Sequence, residues 1–84
     1  MTDPAKYIVI EENATESAII FPCWMLHANI AGEKRVISAG KVEFELSGST
    51  VVIYCYGESV GLKVKSRPKE DARLIEQTIL RMEE

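Results

Sequence analysis

The stretch that decides the fold is Lys41-Val42-Glu43-Phe44-Glu45-Leu46, then Ser47-Gly48-Ser49, then Thr50-Val51-Val52-Ile53-Tyr54-Cys55-Tyr56. Its first part alternates strictly between charged and apolar residues, the period-2 mark of a strand with one wet and one covered face. Val42, Phe44 and Leu46 face a core in this pattern, while Lys41, Glu43 and Glu45 face water. Ser47-Gly48-Ser49 has the composition of a hairpin turn. The run from Thr50 to Tyr56 is apolar on both faces, which suits a central strand. An antiparallel hairpin therefore seeds the sheet.

On its N-terminal side, Arg35-Val36-Ile37-Ser38-Ala39-Gly40 leads into the alternation, and Gly40 inside an extended run suggests a bulge or bend. On its C-terminal side, Gly57-Glu58-Ser59 turns the chain. Val60, Leu62 and Val64 then alternate with Gly61, Lys63 and Lys65 as a last strand with one wet face. Further out, Tyr7-Ile8-Val9-Ile10 is a β-branched and aromatic run, read as the first strand. A polar turn follows over Glu11 to Glu16, and Ser17-Ala18-Ile19-Ile20-Phe21 makes a second strand. Pro22 stops that strand and suits the first turn of a helix. Cys23 to Ala31 gives about two turns, with Gly32 at the position after the helix end. This segment is apolar almost all round, as a buried helix is, although a strand also fits so short a run.

The chain closes on a second helix. Pro68 lies in its first turn, with the cap at Ser66 or Arg67, and Glu70 and Asp71 stand where the helix dipole favours negative charge. Ala72, Ile75, Ile79 and Met82 form the apolar stripe, flanked by Leu74. Leu80 points about 140° away from its centre. The expectation is a single α+β domain over residues 1–84, ordered β-β-α-β-β-β-α. It has a mostly antiparallel sheet of about five strands, a short helix and a C-terminal helix, with both helices on one face.

Composition bounds the function. A chain of 84 residues buries roughly 60–65% of the surface it exposes when unfolded, so its core is thin. Phe21, Trp24, Met25, Phe44 and Met82 are all assigned to that core. The apolar share of 46% and charged share of 27% are ordinary for a folded domain. A net charge of -3 gives no bulk attraction to nucleic acid or an anionic membrane. Two cysteines, Cys23 and Cys55, make no disulfide framework and read as reduced thiols of a cytoplasmic protein. The N-terminal residues do not form a signal peptide. No apolar run approaches the roughly 20 residues of a membrane span.

Three segments carry a family resemblance. They are Phe21-Pro22 followed by His27-Ala28, then Ser38-Ala39-Gly40, then Cys55-Tyr56-Gly57-Glu58-Ser59 running on to Ser66-Arg67. From about Tyr7 to Ile79 the chain resembles a group of small uncharacterised proteins encoded by tailed bacteriophages and prophages. It departs from their pattern at Asn29, where an aspartate is common, at Lys41, where an aromatic often follows the glycine, and at Gly61, where a serine is common. The resemblance implies a phage product working in a bacterial cytoplasm. It brings no activity and no site residues with it, and small phage accessory proteins more often bind host or defence components than catalyse.

The candidate chemistry is sparse. Cys23 and His27, four residues apart on a helix, could meet as a thiolate pair, but no carboxylate lies nearby in sequence to orient them. More plainly, Cys23 packs as a small hydrophobe and His27 is hydrogen-bonded at the core's edge. Cys23, His27 and Cys55 fall short of a four-ligand zinc site. Gly57 to Gly61 matches no phosphate-loop pattern and leads into a strand, so it reads as a hairpin. Lys63, Lys65 and Arg67 form a basic face on the last strand, which could track a nucleic-acid backbone or simply be a solvated face that blocks edge pairing. Ser38 and Ser59 stand near glycines, where a ligand could approach the backbone.

Two functions follow. The first is a non-enzymatic homodimer that binds a host or defence protein, its two-fold contact made by the last helix through Leu80, by the sheet edge, or by both. The second is a small-ligand or single-stranded nucleic-acid binder using the region around His27, Ser38, Ser59 and Lys65. No catalytic residue, metal, cofactor or membrane partner is expected, and the acidic balance argues against nucleic acid.

Overall fold

The computed structural model describes residues 4–82, with side chains described for residues 4–80. The fold is mixed α+β, built from β1 (Ala5–Glu12), β2 (Thr15–Phe21), α1 (His27–Ala31), β3 (Arg35–Ser47), β4 (Thr50–Tyr56), β5 (Glu58–Ser59), β6 (Val64–Lys65) and α2 (Pro68–Met82). Four strands form an antiparallel sheet in the order β2-β1-β3-β4. β5 and β6 pair separately as a two-stranded sheet.

The two-residue hairpins set the register. Asn13 and Ala14 join β1 to β2 with positive φ at both positions, as a type I′ turn requires. Gly48 takes φ 63 at the first loop position between β3 and β4, which a type II′ turn reserves for glycine. β1 is the central strand: Tyr7, Ile8, Val9 and Ile10 are all buried, covered on both faces. Tyr7 and Val9 pack with Val42, Cys55 and Ile75 beneath α2. Ile8 and Ile10 pack with Phe21, Ala31 and Ala39, where Met25, Ile30, Leu62 and Val64 complete the cover. The helices therefore lie on opposite faces of the sheet rather than on one.

Four further expectations change. Thr50 to Tyr56 is an edge strand, not a central one, and Val51, Val52, Tyr54 and Tyr56 are exposed. A run apolar on both faces reads as covered on both, but α2 covers one side only and nothing among the described residues pairs beyond it. Pro22 does not open a helix. Met25 N–H donates to Pro22 O at 3.1 Å, closing a turn, and α1 starts only at His27, so Cys23 and His27 do not share a helix. The bulge falls at Ile37, where the β1–β3 register shifts, not at Gly40. Gly40 instead admits a close backbone approach, because a Cβ there would run into the carbonyl oxygen of Tyr56. Finally, the expected last strand is split. Residues 60–63 turn, Lys63 has φ 58, and only Val64 and Lys65 are extended.

Along α2, Ile75 is fully buried and Ile79 and Leu74 are half-buried against the sheet, as the stripe predicts. The side chain of Met82 lies outside the described residues.

Candidate functional site

Two polar assemblies flank the sheet. The first joins α2 to the sheet and centres on Asp71, which is fully buried. Its carboxylate accepts the Tyr7 hydroxyl at 2.5 Å, the Ser38 hydroxyl at 2.8 Å and the Arg67 backbone N–H at 2.8 Å. The Arg67 guanidinium pairs with it at 3.0 Å and reaches on to Glu16 of β2 at 2.8 Å. Arg67 is thus the cap residue of α2: its carbonyl accepts the Asp71 N–H at 2.8 Å while its own N–H donates to the Asp71 side chain. The first of these is the opening bond of the helix, and the second satisfies the cap N–H that the helix leaves open.

Every buried side-chain polar atom among the described residues has a partner. With its acceptors filled by protein donors and no solvent access, Asp71 is built to lock α2 rather than to meet a ligand. Burial first, and then the bond to Asp71, pushes the Tyr7 hydroxyl well above its usual range. Burial likewise pushes the neighbouring Cys55 thiol up to about 11. At neutral pH Cys55 is therefore a thiol and a weak nucleophile.

The second assembly lies on the α1 face. A cleft of about 330 Å³ is lined by Lys6, Leu26, His27, Lys41, Ser59 and Val60, among others. His27 is buried and held from two sides. Its Nε2 lies 3.0 Å from the carbonyl oxygen of Gly40, which only accepts, so Nε2 carries the proton and donates. Its ring also meets Phe21 edge-on, with centroids 5.4 Å apart. The buried Ser59 hydroxyl accepts the Leu62 N–H at 3.3 Å and shapes the turn that forms one wall. Lys6 Nζ donates to Met25 O at 3.0 Å and ties β1 to the loop before α1.

That loop carries the most conspicuous surface. Trp24 is 78% exposed, Leu26 60% and, across the cleft mouth, Val60 81%. A tryptophan this exposed covers no core in its own chain. It is nonetheless displayed on a fixed support, because the turn at Pro22 and the Lys6 bond hold the loop.

Of the residues singled out in the sequence, His27 and Ser59 do come together, in this cleft. Ser38 lies on the opposite face, bonded to Asp71. Lys63 and Lys65 are exposed, but Arg67 is taken up by Asp71 and Glu16 and joins no open basic face. Leu80 is 53% exposed and, with Val51 and Ile53, lines a groove between α2 and β4.

The sequence did not mark Trp24 as a surface residue. A segment apolar all round reads as core, but a five-residue helix has too little surface against the sheet to bury so many large side chains. Tyr7 and Asp71 read locally as strand core and dipole partner, since only the tertiary fold brings them together. Among the described residues, no three His, Cys, Asp or Glu side chains group closely enough to hold a metal ion, and no helix is long and apolar enough to cross a membrane. No protein-family model, curated protein or solved structure matches the chain.

Proposed function

We propose that this protein is a non-catalytic accessory protein of a phage or prophage that binds a host or defence protein in the bacterial cytoplasm. The binding surface is the Trp24–Leu26 loop together with Val60. The observation that carries this is the exposure of Trp24 and Leu26 on a pinned loop beside a cleft, with Val60 exposed across its mouth. Tryptophan leads the residues that anchor protein interfaces, and exposed apolar clusters rimmed by polar groups mark such contacts. Lys6, Lys41 and Glu58 supply the polar rim.

The test is capture from bacterial lysate on immobilised wild type and on Trp24→Ala/Leu26→Ser. Both residues are exposed, so the variant should melt within a few degrees of wild type. A partner held by wild type should be weakened roughly 30-fold or more in the variant, the loss expected of an anchor residue. Equal retention by the two proteins counts against this surface.

A second function has its own support. Lys6, Lys41 and Glu58 line the cleft with His27 and Ser59, a setting that suits a small polar ligand. Native mass spectrometry of freshly purified protein separates the two, because a small-molecule adduct lost in Lys41→Glu favours the ligand.

A further inference from the structure

On a different surface, we infer that two copies of this chain pair through their β4 strands, edge to edge about a two-fold axis at Ile53, into one continuous eight-stranded sheet. The first support is the strand itself. β4 is a seven-residue edge strand that contains no charged residue, no proline and no bulge, so it lacks the devices by which monomeric sheets protect an edge. The other edge, β2, carries Glu16, which is committed to Arg67.

The second support is backbone register. The two-residue turn makes Ser47 and Thr50 a hydrogen-bonded pair. The N–H and C=O groups of Thr50, Val52, Tyr54 and Tyr56 therefore point to β3, and those of Val51, Ile53 and Cys55 point out of the sheet. Antiparallel pairing centred on Ile53 sets Val51 against Cys55 of the second copy and Ile53 against its own mate. All three outward residues then fall at hydrogen-bonded positions, in a register that is its own complement.

The third support is charge. α2 runs antiparallel to β4. Asp71 acts on Cys55 near one end, and Leu80 lies by Thr50 and Val51 near the other. Lys69, Arg73 and Glu76 flank the groove beside Val51, Val52 and Ile53. The two-fold axis sets Arg73 of one helix beside Glu76 of the other, twice. Leu80, exposed beside Val51, is covered by the same approach. A copy of the chain thus answers the edge, the charges and the apolar groove together.

The experiment is sedimentation of the full chain at about 100 µM, with amide exchange read at single residues. Wild type should be a dimer, and protection of the Val51, Ile53 and Cys55 amides should rise with concentration. Val51→Lys should yield a monomer that keeps the wild-type circular dichroism. Arg73→Glu places like charges together at two symmetric contacts and should weaken the dimer about five- to tenfold. Arg73→Glu with Glu76→Arg should restore it to within about threefold of wild type, a rescue that an interface elsewhere cannot produce. A wild type that stays monomeric at this concentration overturns the dimer, even if another protein's strand can be caught on β4. A dimer indifferent to both Val51→Lys and the charge exchange overturns the β4 pairing.

Discussion

Val42, Phe44 and Leu46 are successive inward positions of one alternating strand, yet they are 1%, 45% and 79% exposed. The root of the β3–β4 hairpin is sealed beneath α2, where Val42 meets Cys55, Tyr7 and Ile75. The tip has the same pattern and far less cover among the described residues. Alternation says which face of a strand is apolar, but not whether anything lies on that face. The root holds the fold together, and the tip is exposed surface.

Substitutions at the root should dwarf those at the tip. Asp71→Ala strands the Tyr7 and Ser38 hydroxyls and leaves the Arg67 guanidinium with Glu16 alone. We expect a loss of about 3–5 kcal/mol by urea unfolding. Against a total of about 5–15 kcal/mol this leaves little folded protein. A loss below about 1 kcal/mol would mean that the network does not hold α2.

Ile8→Ala, at a site with no exposure, should cost about 2–5 kcal/mol through the cavity it leaves. Ile53→Ala, half-buried on the edge, should cost clearly less. The reverse order would restore β4 to the centre of the sheet.

The root also responds to alkali. Tyr7 and Cys55 hold their protons more tightly folded than unfolded, so the stability they add is whole below about pH 9 and falls as pH rises above it. For Cys55, with the thiol moved from 9.0 to about 11, the window is pH 9 to 11 and the loss is about 2 kcal/mol. Cys55→Ala should flatten that part of the profile, measured by melting at each pH. A slope unchanged in Cys55→Ala would assign it elsewhere.

Effects at exposed positions are smaller and separate strain from contact. Ala14 sits at φ 63 in the β1–β2 turn, so Ala14→Gly should stabilise by about 0.5–1 kcal/mol. Leu46→Ser should change monomer stability by no more than about 0.5 kcal/mol. A loss as large as that of Ile8→Ala would show the tip to be covered after all.

The contrast also explains what the sequence could reveal. Strand periodicity, Gly48, Pro68 and the Ile75–Ile79 stripe are local signals, and they gave the fold class, the hairpin and α2. The strand order was not legible, because Tyr7-Ile8-Val9-Ile10 and Val51-Val52-Ile53-Tyr54 are both apolar on two faces. Only tertiary packing makes one central and the other an edge. His27 and Ser59 share one cleft, but the grouping the sequence suggests also takes in Ser38, which the fold places on the opposite face with Asp71. Trp24 was not, since an aromatic residue reads as core until the short helix beside it is seen to have no room.

The most direct test of the binding surface is photo-crosslinking in bacterial cells. A photoreactive side chain replaces Val60 at the cleft mouth or, as control, Glu12 about 20 Å away along β1. Position 60 should yield a discrete adduct with another protein that disappears when Trp24→Ala is added, and position 12 should yield none. The same adducts from both positions, or only self-adducts from position 60, would contradict the account.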